Sequence, residues 1–261
     1  KSGRCPENCA FCAQSAHHKT AAPVYPFVDQ DTILRKAEEA AAHGTKRFSI
    51  VTSGTMLGEE DVEPLCRAVE RIIRETGLSV CGSLGMLTPG RAVCYREAGI
   101  TRYHHNLETA ESFFPEICTT HDYQKDVESL RVAREAGLEV CSGGIIGLGE
   151  SRAQRVELAC TLAEVGVDSV PLNFLNAIAG TRLERMPRLE VTEALRTIAM
   201  FRIMHPSRDI LIAGGRAHVL GEWQSWLYAA GANGMMTGDY LTTSGAAFAA
   251  DRAMMHTLGV A

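Results

Sequence analysis

No unbroken apolar run in this chain approaches the ~20 residues that a membrane-spanning helix requires, so nothing in it points to a span. Basic residues are not in excess. Lysine and arginine number 26 against 31 aspartates and glutamates, and a net charge of −5 leaves no basic face for nucleic acid. No secretory leader pattern precedes the first cysteine, and no tight hairpin signal joins consecutive apolar runs. Cysteine, in contrast, is plentiful at nine. An odd count of thiols without a leader reads as a reducing cytoplasm, where cysteines serve metals or packing rather than disulfides.

Three of them, Cys5, Cys9 and Cys12, fall in the first twelve residues, spaced three residues and then two, with Pro6 after the first and Phe11 before the last. Such spacing wraps three thiolates around three corners of one 4Fe-4S cube and leaves the fourth iron without a protein ligand. The competing reading is a structural zinc site. That site wants four protein ligands, with His17 or His18 as the fourth.

From residue 29 onward one unit recurs: an amphipathic helix, a glycine, then a short apolar run. Gly44, Gly77, Gly99, Gly137, Gly166 and Gly231 hold the glycine position, as a left-handed helix cap requires. The runs predict strands over 47–53, 79–84, 101–107, 139–145, 169–175, 210–214 and 233–238, with a helix over 192–204 before the sixth. Alternation of this kind implies a parallel sheet with right-handed crossovers. At 261 residues the chain is expected to form a single domain over 1–261. The expected fold is an α/β, TIM-type (β/α)8 barrel of about 250 residues, with its first strand upstream of Lys1 feeding the Cys5 loop. A doubly wound open sheet is the alternative.

Reading polar residues by strand parity gives an interior column: Ser49 and Ser53, Cys81 and Ser83, then His104, Asn106 and Glu108, then Cys141, Asn173 and Arg216. Polar groups inside a barrel are costly unless paired or liganded, so a column of them implies a ligand. Cys66, Cys94 and Cys160 lie in helical segments and read as packing. Cys81, Cys141 and, in the loop after the third strand, Cys118 could converge on a second iron–sulfur cluster. The segment from Gly143 to Glu150 follows a strand and opens a helix, as a backbone that closely approaches a nucleoside or carboxylate should. It does not fit the dinucleotide fingerprint.

The cysteine loop, the Gly143–Glu150 segment and Arg216 in Gly214-Gly215-Arg216 together resemble the radical S-adenosylmethionine (SAM) enzymes, and within them the biotin synthase family. Similar stretches include Tyr103-His104-His105-Asn106-Leu107 and Ser169-Val170-Pro171-Leu172-Asn173. The resemblance implies that Cys5, Cys9 and Cys12 hold a 4Fe-4S cluster whose open iron is chelated by SAM. One-electron cleavage then yields a 5′-deoxyadenosyl radical. In that family the radical takes hydrogen from two carbons of dethiobiotin, and sulfur from an auxiliary cluster bridges them.

The resemblance assigns cofactor contacts to Phe11, Asn106, Glu108, Gly144, Ile145, Gly147 and Gly149, and substrate contacts to Asn106 and Asn173. It further implies a flavodoxin- or ferredoxin-type reductant and a homodimer. Cys81, Cys141 and Arg216 match three family ligands of a 2Fe-2S cluster, whereas Ser49 stands where the fourth, a cysteine, is usual. Cys118 is therefore expected to join Cys81 and Cys141 in a rebuilt auxiliary cluster, either 2Fe-2S or a 4Fe form with an extra sulfide, with Arg216 as ligand or neighbour. Two alternatives remain: another radical SAM enzyme of rearrangement or lyase type, and a metal-binding module without activity.

Overall fold

Short runs rich in β-branched residues alternate with longer amphipathic segments, and in the computed structural model of the chain every such run is a strand of one parallel sheet. The structure describes residues 1–238 and 248–259. The strands are β1 (Arg47–Val51), β2 (Ser79–Ser83), β3 (Ile100–His104), β4 (Glu139–Cys141), β5 (Gly144–Ile146), β6 (Ser169–Phe174), β7 (Asp209–Ile212) and β8 (Gly234–Met235). The helices are α1 (Gln30–Ala42), α2 (Glu59–Thr76), α3 (Pro89–Glu97), α4 (Phe114–Ile117), α5 (Tyr123–Glu135), α6 (Arg152–Val165), α7 (Val191–Met204), α8 (Arg216–Leu220), α9 (Trp226–Ala229) and α10 (Phe248–Leu258).

The ladder runs β1-β2-β3-β4-β6-β7-β8, with β5 beside β6. The sheet is curled, and among the described residues its edge strands β1 and β8 are not paired to each other. The TIM-type α/β architecture is as expected, in the form of a half-barrel.

Helix boundaries follow local chemistry. Ser151 caps α6 by accepting from the Gln154 amide, while the Gln154 side chain accepts from the Ser151 amide. Helices α2 and α6 end at Gly77 and Gly166 with φ of 71° and 77°, a conformation that a side chain would strain. On α2 the buried Leu65, Val69 and Ile72 recur at helical spacing and face Val80 and Ile100 in the sheet core. Burial of each such side chain contributes about 1.5–3 kcal/mol.

Each predicted strand exists, but most stop short of the predicted C-terminal residue, because the chain there bends into the mouth of the sheet. The run predicted over 139–145 is two strands. Opposite the break lies Pro171 of β6, which has no N–H for the ladder. A Cβ on Gly143 would stand 1.9 Å from the Pro171 carbonyl oxygen, so only glycine fits this crossing. The Gly143 carbonyl accepts from the Leu107 and Glu108 amides at 3.0 and 3.3 Å. That pair of bonds sets the turn after β3.

Candidate metal and cofactor site

Residues 1–18 form a loop laid against the C-terminal end of the sheet. The Ser53 hydroxyl donates to the Gly3 carbonyl at 2.9 Å, and the Ala10 amide donates to the Ile117 carbonyl at 2.8 Å. Ala10 is buried with Ile117, Leu148 and Leu175 in a small apolar cluster that Phe11 flanks. Cys5, Cys9 and Cys12 are all free thiols. Backbone amides of Glu7 and Gly54 hydrogen-bond the Cys5 sulfur, and those of Gln14 and Ser15 the Cys12 sulfur. Burial nevertheless pushes Cys5 and Cys12 above the usual thiol range. Cys9 is raised first by the neighbouring Cys118 sulfur and then by burial.

These three thiols fit a cationic cluster. They share one region and feel one another's charge, and backbone amides favour the thiolates of Cys5 and Cys12, yet no positive charge offsets their desolvation. The closed zinc alternative fits less well. His17 and His18 each donate a ring nitrogen to a backbone carbonyl, of Pro6 and Cys12 respectively, both at 2.9 Å.

A network absent from the sequence reading ties this loop to the body of the protein. Glu7, between Cys5 and Cys9, accepts from Thr55 at 2.5 Å, from His121 Nδ1 at 2.7 Å and from the Thr120 hydroxyl. The other His121 nitrogen donates to Asp126 at 3.1 Å, and His105 Nε2 donates to the second oxygen of that carboxylate at 2.8 Å. Burial opposes charge on His121, but bonds to Asp126, Cys118 and Glu7 outweigh it and push its pKa to about 11. Asp126, though buried, is held below the usual carboxylate range by His105 and His121. The partners lie up to 114 residues apart, so no local motif announces them.

Cys118 belongs to this network and not to the group in which it was expected. Its sulfur lies 3.4 Å from both His121 Nδ1 and Thr120 Oγ1. The cause is the short helix α4, whose last residue, Ile117, docks on the cysteine loop and carries Cys118 with it.

Glu108 is half-buried at positive φ (65°), with its Oε2 3.4 Å from the Asn106 side-chain nitrogen. Burial and then the nearby Asp126 push its pKa up to about 8. A carboxyl raised by burial, close enough to Cys9 and Cys12 to shift them, fits a ligand that brings hydroxyl donors. Asn106 Oδ1 accepts from the Gly143 amide at 3.3 Å. Asn173 Oδ1 accepts from the Gly214 amide at 2.8 Å, and Asn173 Nδ2 donates to the Gly144 carbonyl at 3.3 Å. A Cβ on Gly144 would come within 2.4 Å of the Glu108 carbonyl oxygen. Ile145, Gly147 and Gly149 continue from that contact toward α6, and the Ile145 amide donates to Glu108 at 2.8 Å.

Deeper in the sheet, Cys81 and Cys141 flank β3. Cys81 pairs in register with Ser49 and Arg102, and Cys141 with His104 and Ser169. Both thiols are raised by burial, Cys141 to about 12, and each affects or is affected by Arg47 and Arg102 nearby. Arg216 does not turn toward them. Its guanidinium is bound to Asp251 of α10, to Gln224 at 2.5 Å and to the Met236 carbonyl at 3.3 Å. A neutralised, hydrogen-bonded guanidinium is a poor candidate ligand.

Residues 1–162 match the radical SAM superfamily, and residues 171–261 match the biotin and thiamin synthesis associated domain. Among solved structures the chain resembles methylornithine synthase, with a TM-score of 0.76 at 20% identity over 88% of this chain and 67% of that one. It also resembles the FeFe-hydrogenase maturase HydG from Carboxydothermus hydrogenoformans, with a TM-score of 0.83 at 15% identity over 98% and 64%. These likenesses concern the fold. Thiol loop, curled parallel sheet and superfamily match together define a radical SAM enzyme.

Curated relatives narrow the class. A biotin synthase of Nitratidesulfovibrio vulgaris strain DP4 is 57% identical over the whole chain, which covers 72% of that protein. One of Oleidesulfovibrio alaskensis is 56% identical, with 80% of it covered. The chain belongs to the biotin synthase family. Membership brings a 4Fe-4S cluster and SAM as cofactors.

Proposed function

We propose that the chain converts dethiobiotin to biotin, and that Cys5, Cys9 and Cys12 are the protein ligands of its SAM cluster. The observation that carries this reading is the half-buried thiol trio close to Glu108, in a chain 57% identical to a biotin synthase. When bound, cluster and SAM supply a one-electron cleavage whose carbon radical removes hydrogen from unactivated C–H bonds.

The residues do the rest. Backbone amides of Glu7, Gly54, Gln14 and Ser15 steady the Cys5 and Cys12 sulfurs. Glu108 would accept ribose hydroxyls, Phe11 and Ile145 would flank the cofactor, and glycines 144, 147 and 149 would keep the wall free of side chains. Asn106 and Asn173, each pinned by backbone partners on neighbouring strands, present amides of fixed orientation to the polar head of the substrate.

Cys81 and Cys141 anchor the auxiliary cluster, with Ser49 and His104 as the adjacent donor groups. A 2Fe-2S cluster, or a 4Fe cluster with an extra sulfide, held there would supply the sulfur. A flavodoxin- or ferredoxin-type protein supplies the electron, the active form is a homodimer, and the enzyme works in the cytoplasm. No helix among the described residues is long and apolar enough to cross a membrane. One domain spans residues 1–261, a reading supported by the ladder that continues from β4 to β6.

Anaerobic reconstitution with iron and sulfide, followed by dethiobiotin, SAM and a strong reductant, tests the proposal by mass spectrometry. Biotin and 5′-deoxyadenosine are expected together. Formation of 5′-deoxyadenosine without biotin would instead indicate a different radical SAM reaction.

A further inference from the structure

Cys81 and Cys141 are two donors, and neither Cys118 nor Arg216 turns toward them as a third. The register of the sheet shows what stands between them. Residues level with one another in a parallel ladder point to the same face, and so do residues two apart on a strand. Cys81 of β2 is level with Ser49 of β1 and Arg102 of β3. Two residues further along β3, His104 is level with Cys141 of β4, which is level with Ser169 of β6. These side chains therefore share one face, with His104 on the strand between the two thiols. Its Nδ1 is 3.3 Å from the Cys141 sulfur, and among the described residues that sulfur is the ring's one hydrogen-bond partner. The other groups of the row are less suited to iron. Arg102 donates to Glu139 at 2.8 Å, and Arg47 reaches the same carboxylate at 3.3 Å. Ser49 and Ser169 offer only hydroxyls, although that of Ser169 is buried and makes no well-aligned hydrogen bond. Imidazole, in contrast, is a good iron donor.

We infer that His104 is a ligand of the auxiliary cluster through Nδ1, on the same iron as Cys141. This deepens the reading that Cys81 and Cys141 hold that cluster, and rests on it. Two donors on one tetrahedral metal, with bonds near 2.3 Å to sulfur and 2.0 Å to nitrogen, lie roughly 3.5 Å apart. The separation already present therefore needs little adjustment. On binding iron, the Cys141 thiol releases its proton to solvent, the imidazole stays neutral with its hydrogen on Nε2, and no electron is transferred. A neutral imidazole in place of a thiolate takes one negative charge off the cluster. Such a cluster is easier to reduce, as in iron–sulfur centres where histidines replace cysteines on one iron.

The test is pulsed EPR of the reduced, reconstituted full chain, without SAM and with isotopically labelled histidine. A strongly coupled histidine nitrogen is expected in wild type and in His105→Gln, whose ring bonds Asp126 instead, and is expected to vanish in His104→Gln. His104→Cys should keep the cluster without that coupling, and its reduction equilibrium should shift about tenfold toward the oxidised form, about 59 mV for one electron. An auxiliary cluster in wild type that shows no such coupling, or a coupling that survives in His104→Gln, overturns the inference. If the glutamine variant holds no auxiliary cluster, recovery by His104→Cys supports the inference and failure to recover it counts against it decisively. Cluster content left unchanged by Cys81→Ala and Cys141→Ala would defeat the assignment of those thiols instead, so the two failures are distinguishable.

Discussion

His104 Nδ1 lies 3.3 Å from the sulfur of Cys141, inside the sheet, with no carboxylate among its hydrogen-bond partners. Burial, then His105 and Arg102, lower its pKa to about 4. A base whose folded pKa is depressed contributes stability above its unfolded value near 6.5, and that contribution is lost as pH falls toward 4. The metal-free protein should therefore lose stability on the order of 3 kcal/mol from this group between about pH 6.5 and 4. Urea unfolding of His104→Gln, compared with wild type at pH 7 and 4.5, should show a shallower decline.

Glu108 behaves in the opposite sense. Its folded pKa of about 8 lies above the ordinary carboxyl value, so its contribution is full at acid pH and is lost as pH rises through about 8. Glu108→Gln, neutral in both states, is thus expected to stabilise the metal-free protein near neutrality, by on the order of 3 kcal/mol, with the gain vanishing toward pH 4.5. It should weaken SAM binding about tenfold, the effect of one charge-assisted hydrogen bond of about 1.5 kcal/mol. Titration calorimetry on cluster-loaded protein reads both the affinity and its pH dependence.

Removing the Asp126 charge strands two imidazoles. Asp126→Asn should cost about 1–3 kcal/mol and loosen the Glu7 end of the cysteine loop. Iron retained after brief chelator treatment should fall more in this variant than in Asp122→Asn, whose side chain makes no capping bond.

At Gly143 an added methyl meets the Pro171 carbonyl oxygen at 1.9 Å, whereas at Gly90 it meets nothing within 4 Å. Gly143→Ala should destabilise by about 3 kcal/mol or more. Gly90→Ala, inside α3, should be neutral or stabilising by up to about 1 kcal/mol. Thermal unfolding of both variants checks the contrast.

Cys81→Ala and Cys141→Ala should abolish biotin formation while SAM cleavage to 5′-deoxyadenosine persists. Cys9→Ala should abolish both. Iron analysis beside product analysis separates the two thiol sets.

The periodic parts of the chain were legible before the structure. All six glycines predicted to close helices have positive φ, and each predicted strand has its counterpart, because local caps and apolar spacing determine both. Strand ends were overestimated because residues such as Asn106 and Asn173 look like strand continuations while bending to meet Gly143 and Gly214.

Cys118 and Arg216 have partners that the sequence did not announce, for another reason. The turn of α4 onto the cysteine loop and the approach of Asp251 to Arg216, 35 residues later, are long-range packing outcomes without local signature. For the same reason the Glu7, His121 and Asp126 network was missed, although a glutamate inside a cysteine loop was visible throughout.

Ala10 reaches its buried setting only when Ile117, Leu148 and Leu175 have arrived around it. During synthesis the amino-terminal thiols therefore leave the ribosome long before the wall that shapes their loop exists. Metal delivered to a nascent polypeptide before Leu175 has emerged would find an unformed site, so loading of the loop calls for a chain folded at least through Leu175.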